Sequence, residues 1–279
     1  MKEKMSVFWK ELRNIGYILM PFLIYYITYF VAAIVLSFIM NAILQSFIEV
    51  NQIFLLKNEA SINGVIGGMA MLIGIIPLWT SFRQETKRMK EAEQKDTNKE
   101  VSRFVKIPVT ILLAISSSLA VNILFIMLHL MENSKTYQEV AQNQYGVVFG
   151  LGLVLYGIVS PLAEEVVFRG IVFNRMKREY SVISAVLLSA LIFGFYHGNS
   201  VQGIYAFLIG CLIAYTYERF GSFFYAVLFH GAANVAVYTI TGTEALYKII
   251  VTPVNYVVFT LISIILIFII EKIRKVVCK

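Results

Sequence analysis

Three clusters of polar side chains lie within long apolar segments of this sequence. They are Glu164, Glu165 and Arg169 in PLAEEVVFRGIVF, His197 in FGFYHGN, and His230 and Asn234 in FHGAANV. Ionisable groups near the centre of a bilayer cost a few kcal/mol or more each, so their presence there indicates a functional site.

The residue types in these clusters suit hydrolysis. A carboxylate and a neutral imidazole can together hold and deprotonate a water molecule. His230 and Asn234 are four residues apart, so both lie on one face of a helix. From that face they can donate hydrogen bonds to the oxyanion of a tetrahedral intermediate. The three clusters therefore predict a hydrolytic site.

A metal site is an alternative use of the same residues. Glu164, His197 and His230 could bind Zn²⁺ and leave one position open for water. The HExxH motif of soluble zinc proteases does not occur. No motif surrounds Ser160 or Cys211 that would indicate a serine or cysteine nucleophile.

Each cluster also has a structural interpretation. Glu165 and Arg169 are spaced i,i+4 and could form an ion pair that only stabilises a helix. Asn234 could hydrogen-bond between helices. Phe193 is expected to pack, and His129 is expected at the outer end of a span.

Composition indicates a membrane protein built of helices. The chain has 279 residues, of which 58% are hydrophobic and 15% charged, whereas soluble domains carry about 25% charged residues. Long runs of Leu, Ile, Val and Phe favour spanning helices over a barrel, whose strands would alternate polar and apolar residues. The predicted fold is all-α, a polytopic membrane protein of about eight transmembrane helices.

The spans can be placed approximately from runs of about 20 apolar residues. They are residues 15–47, 62–82, 107–131, 145–168, 182–197, 201–217, 222–241 and 253–270. The first is too long for a signal-peptide core and is predicted to be a retained membrane helix. The fifth and sixth are short and form a predicted helical hairpin. The polar segment 83–106 is predicted to be a helical connector.

Basic residues fall on one side of this arrangement. With a cytoplasmic N-terminus, 21 of the 24 Lys and Arg residues lie in cytoplasmic segments, and only Lys57, Lys135 and Lys248 lie outside. This asymmetry follows the positive-inside rule and predicts that both termini are cytoplasmic. The net charge of +7 is therefore explained by topology and membrane lipid, and it argues against nucleic acid as a partner.

The sequence resembles a known family at the same residues. EEVVFRG, FGFYH and HGAAN fit, in order, the EExxxR, FxxxH and HxxxN motifs of the CAAX-protease and bacteriocin-processing (CPBP, or Abi) family of intramembrane endopeptidases. The resemblance marks residues 145–241 as a catalytic core of four helices. Residues 1–144 then form an N-terminal membrane region, and residues 242–279 a C-terminal helix with a basic tail.

The resemblance implies an eight-helix fold and a role for each motif residue. Glu164 and His197 would activate the water, and His230 and Asn234 would form the oxyanion hole. Arg169 would support the site, as would Glu165, which could share the catalytic role. The family has been classed among metalloproteases, but these residues also suit a metal-free glutamate protease.

The expected activity is hydrolysis of a peptide bond within the membrane or at its cytoplasmic side, in a bacterial plasma membrane. The substrate would be a prenylated CAAX tail, a bacteriocin or pheromone peptide, or another peptide or lipidated protein delivered by the membrane. Two other classes remain open: a transporter that uses the buried charges, and a non-catalytic scaffold or immunity protein. No inverted repeat of the transporter type is found in the sequence.

Overall fold

The computed structural model describes residues 2–46, 52–94 and 102–277, which are almost entirely helical and contain no strand. The helices are α1 (Lys2–Ser46), α2 (Gln52–Ile75), α3 (Trp79–Gln94), α4 (Arg103–Met127), α5 (Lys135–Tyr145), α6 (Phe149–Glu179), α7 (Val182–Tyr196), α8 (Ser200–Phe220), α9 (Phe223–Thr241), α10 (Glu244–Ile250) and α11 (Pro253–Val277). A short 3₁₀ turn, Ile76–Leu78, joins α2 to α3. The predicted all-α membrane fold is confirmed.

Among the described residues, seven helices are long and apolar enough to cross a membrane. The fifth predicted span is the shorter helix α7, of 15 residues. It packs along α8, and the turn between them contains Gly198 with φ of 73°. Such a left-handed conformation favours glycine. The predicted hairpin of α7 and α8 is therefore present.

Helix α6 is the central helix of the bundle. Its residues from Ala163 to Met176 are all buried, which is typical of a helix enclosed by others on every side. It continues to Glu179, 11 residues past the predicted end of the fourth span, so Glu164 and Arg169 lie on the same helix. By contrast, large apolar side chains on α1 and α11 remain exposed, as expected for the lipid-facing surface.

Two π-helical turns interrupt α6, at Leu155–Val159 and Phe168–Phe173. The first precedes Pro161, and the second includes Arg169. Turns of this kind inside α-helices occur frequently at functional sites. Both flank the glutamate pair of α6.

A polar cluster marks one end of the bundle, which we call the basic end. The carboxylate of Glu85 on α3 is 2% exposed and accepts hydrogen bonds from Arg175 and Arg178 of α6 and from the Tyr17 hydroxyl of α1. Two further ion pairs complete this end: Lys177–Glu218 and Arg219–Glu271. The cluster joins α1, α3 and α6 on the side where the sequence predicts the cytoplasm.

Candidate active site

A cavity of about 440 Å³ lies at the end of the bundle opposite the basic end. Glu164, His197, His230 and Asn234 all line it, although they come from two different helices, α6 and α9, and from the α7–α8 turn. The volume falls within the range of about 300–1,000 Å³ that is usual for small-molecule and cofactor sites. The three sequence clusters thus meet in one pocket.

Glu164 is the acidic side chain of this cavity. It is 4% exposed, and its Oε1 accepts a hydrogen bond of 2.8 Å from the Ser160 hydroxyl one turn earlier. Its Oε2 lies 3.7 Å from Nε2 of His230. One carboxylate oxygen is therefore oriented by the helix itself, while the other faces an imidazole.

Glu165 points away from the cavity and fixes two other groups. Its Oε1 accepts hydrogen bonds from Nδ1 of His230 at 2.7 Å and from Nη1 of Arg169 at 2.9 Å. Arg169 is fully buried, donates from Nη2 to the Gly210 carbonyl at 2.8 Å and lies over the Phe193 ring. Because Glu165 is 0% exposed and does not line the cavity, its place suits support of His230.

The tautomers of both histidines follow from these partners. The ionised carboxylate of Glu165 can only accept, so Nδ1 of His230 must carry a proton. Nδ1 of His197 lies 2.8 Å from the Phe193 carbonyl and must donate for the same reason. In each ring Nε2 is then the nitrogen left for chemistry, as an acceptor when the ring is neutral and as a donor when it is protonated.

The first π turn of α6 explains why Asn234 is held where it is. The amide N–H of Ser160 bonds to the Leu155 carbonyl, and the next residue, Pro161, has no N–H to donate. The Tyr156 carbonyl instead accepts a hydrogen bond of 3.0 Å from Nδ2 of Asn234 on α9. A primary amide has two N–H donors, so the second remains for a ligand.

Close approach of α9 to this turn requires a glycine. A Cβ atom added to Gly231 would lie 2.4 Å from the Gly157 carbonyl oxygen, which is closer than real Cβ contacts come. Gly231 sits between His230 and Asn234 in the HGAAN segment. The glycine therefore allows α9 to lie close to α6, and this helix separation places both side chains at the cavity.

Helix α5 forms one wall of the cavity. It contributes Tyr137, Val140, Asn143, Gln144 and Tyr145 to the lining. This helix lies outside the spanning segments, and burial raises the pKa of Tyr137 to about 12, so its hydroxyl stays neutral at physiological pH. This segment between the third and fourth predicted spans carries no motif that would place it at the site.

The predicted metal set does not fit a metal ion in this arrangement. Within the part of the chain that the structure describes, no group of three or more His, Cys, Asp or Glu residues is placed to hold one. Glu164, His197 and His230 share the cavity, where the Glu164 carboxylate lies 3.7 Å from Nε2 of His230. We therefore assign no step to a metal.

The sequence predicted the four candidate catalytic residues that line the cavity, Glu164, His197, His230 and Asn234, but it did not predict the role of every neighbour. Ser160, considered only as a nucleophile, instead orients Glu164. Phe193, expected to pack, does so against His197, His230 and Arg169. The i,i+4 spacing of Ser160 and Glu164 was a signal that could have identified the first.

The remaining histidine lies apart from the site. His129 is in the turn after α4, where Nδ1 is 2.9 Å from Glu132 and both side chains are more than two-thirds exposed. It does not line the cavity. This position agrees with its predicted place at the end of the third span, and the side of the membrane stays a prediction.

The fold and the site together define a polytopic helical membrane protein with a buried glutamate–histidine centre. Residues 146–236 match the family model described as "Rce1-like: Type II CAAX prenyl endopeptidase Rce1-like". The match covers about a third of the 279 residues and confirms the resemblance found in the three motifs. At the family level it indicates a CAAX-protease type of intramembrane hydrolase. No curated protein and no solved structure matches the chain significantly.

Proposed function

We propose that this protein is an intramembrane endopeptidase that hydrolyses a peptide bond in a membrane-delivered peptide or lipidated protein. The observation that carries the proposal is the shared cavity of Glu164, His197, His230 and Asn234. Each of these four side chains is also held by a hydrogen bond to a neighbouring protein group. The catalytic roles that we propose for these residues rest on this arrangement and on the family match.

In the first step a water molecule in the cavity is deprotonated. Glu164 takes one proton, and Nε2 of His197 accepts a hydrogen bond from the remaining O–H of the water and orients it. The water oxygen forms a bond to the carbonyl carbon of the substrate, and the electron pair of the C=O bond moves to the oxygen. The product is a tetrahedral intermediate with one negative charge.

In the second step that charge is stabilised and the bond breaks. The free N–H of Asn234 and a protonated Nε2 of His230 donate to the oxyanion, which is the usual function of such a pair. Glu165 supports the imidazolium form of His230 through Nδ1. When the carbonyl re-forms, the C–N bond breaks and Glu164 returns its proton to the leaving amine.

Alanine variants of the cavity residues test the proposal. We expect Glu164→Ala and His197→Ala each to lower cleavage by about 10²–10⁴-fold, the contribution of a positioned acid–base group. Their thermal stability in detergent should remain close to that of the parent protein. The matched controls are Glu132→Ala and His129→Ala, which remove an exposed acid and an exposed histidine outside the site. Full activity in either cavity variant would contradict the assignment.

Substrate trapping identifies what is cleaved. Glu164→Gln keeps the size of the side chain but cannot take a proton, so it should retain bound substrate that mass spectrometry can identify. The parent protein, purified in parallel, should retain only products. If phenotype and bound peptides are the same in the parent and in Glu164→Gln, a scaffold function replaces the protease.

Metal content provides a separate check. The donor geometry leads us to expect substoichiometric zinc in the purified protein by elemental mass spectrometry. Activity after prolonged chelation should match that of the untreated protein. One zinc per chain that disappears in His230→Ala would contradict the water activation proposed above.

A further inference from the structure

The cavity opens at the end of the bundle that is opposite the basic end. Its walls come from one half of each helix: the start of α2, α6 and α8, and the end of α4 and α9. Arg175, in the cluster of the basic end, lies 11 residues beyond Glu164 on the continuous helix α6, which corresponds to about 17 Å. The catalytic cavity and the basic cluster therefore occupy opposite halves of the membrane.

Charge placement assigns these two halves to sides of the membrane. The basic end includes Arg175, Lys177, Arg178 and Arg219. At the cavity end lie helices α5 and α10, which include Lys135 and Lys248, two of the three lysines outside the basic segments. Positively charged residues are retained in the cytoplasm during insertion. The basic end is then cytoplasmic, and the cavity faces outward.

The cavity lining also restricts what can bind. Besides the titratable Glu164 and the two histidines, none of the described residues that line the cavity carries a charge. Polar contacts come from tyrosines and from amide side chains such as Asn63, Asn122 and Gln202. Amides can pair with a peptide backbone, whereas a charged side chain or chain terminus would be desolvated without a partner.

We infer that the site receives an uncharged stretch of peptide from the extracytoplasmic side of the membrane. This inference deepens the proposed function and rests on it for the identity of the ligand, but not for the side on which the cavity opens. It favours an exported peptide as substrate over a prenylated tail on the cytoplasmic surface. A site that faces the cytoplasm would contradict this inference.

Cysteine labelling in intact cells tests the side directly. In a background carrying Cys211→Ser and Cys278→Ser, the reporters are Asn143→Cys, which is exposed and lines the cavity, and Lys248→Cys, which is 71% exposed. The matched control at the basic end is Lys87→Cys, which is 79% exposed. A membrane-impermeant maleimide should label both reporters in intact cells, and the control only after permeabilisation.

The opposite labelling pattern would overturn the inference. Because labelling requires no activity, the same pattern should be found when Glu164→Gln is added to each reporter. Failure of the proposed hydrolysis and failure of the outward orientation are therefore distinguishable.

Entry of the substrate is tested by blocking the cavity. Modification of Asn143→Cys by a bulky impermeant maleimide in intact cells should lower cleavage of the trapped substrate at least tenfold. The same treatment of Lys248→Cys, which does not line the cavity, should leave cleavage unchanged. Full cleavage after complete modification at position 143 would overturn entry from this side.

Discussion

Neighbouring glutamates on α6 face in different directions and have different partners. Glu164 lines the cavity, whereas Glu165 lies behind His230 and pairs with the buried Arg169. The ion pair expected as a purely structural alternative is present, but its carboxylate also fixes the tautomer of His230. We therefore describe Glu165 as a positioning residue.

Replacement of Glu165 by glutamine should separate these functions. The uncharged amide supports the imidazolium form of His230 poorly, so kcat should fall by roughly 10²–10³-fold, comparable to the loss of one oxyanion donor, with little change in KM. Steady-state kinetics of this variant and of the parent protein check both kcat and KM.

The buried Arg169 complicates this variant, because removing one partner of a buried pair costs about 3–5 kcal/mol. The double variant Glu165→Gln with Arg169→Met removes both charges and should recover much of that stability. Activity should remain low in the double variant. Recovery of activity together with stability would show that Glu165 acts only on folding.

The four cavity residues were predictable because each belongs to a motif with fixed spacing in an apolar segment. Gly210 was not, since a glycine in a membrane helix is common and carries no such signal. The hydrogen bond from Arg169 to the Gly210 carbonyl depends on how α6 and α8 pack. The spacing of residues along either helix does not predict packing of this kind.

At the level of helices, the contact between α6 and α9 decides the geometry of the site. Its closest point is Gly231 against the first π turn, and Asn234 bonds to the carbonyl that this turn exposes. The sequence indicated both helices and the shared face of His230 and Asn234. It did not indicate the π turn, because a local change in hydrogen bonding leaves the apolar pattern intact.

Gly231→Ala should therefore damage both stability and catalysis. Its Cβ would push α9 away from Gly157, at a cost of about 1–3 kcal/mol for overpacking. We expect a lower melting temperature in detergent and a fall in kcat from the displaced His230 and Asn234. The control is Gly150→Ala on α6, where an added Cβ meets nothing within 4 Å. Equal behaviour of the two variants would show that the close contact is unimportant.

Across the whole molecule, the two ends of the bundle have separate functions. The cavity end carries the candidate chemistry, and the basic end ties α1, α3 and α6 together through Glu85. The positive-inside count predicted a division of charge between the two sides. The opening of the cavity could not be predicted, because it depends on α5, which the sequence presents only as a polar connection between spans.

Glu85→Ala should lower stability with little effect on chemistry. It leaves Arg175, whose side chain is 9% exposed, without its carboxylate partner. We expect a loss of about 2 kcal/mol, below the range for a fully buried pair because Arg178 is partly exposed. Thermal unfolding in detergent measures this loss. Activity per folded molecule should match the parent, and a selective loss of kcat would contradict the separation of the two ends.

The second π turn of α6, Phe168–Phe173, has a consequence for insertions and deletions. A turn closed by i→i+5 bonds holds one residue more than an α turn, and each residue advances a helix by about 100°. The π turn therefore absorbs the rotation of one extra residue, and removing one residue here would restore regular α geometry with Arg175 and Arg178 still directed at Glu85. Inserting one more residue would instead rotate everything after it by that angle, while Glu164 kept its place. This segment should thus tolerate a one-residue deletion better than an insertion, which would disconnect the anchor of the helix at the basic end from its reactive half.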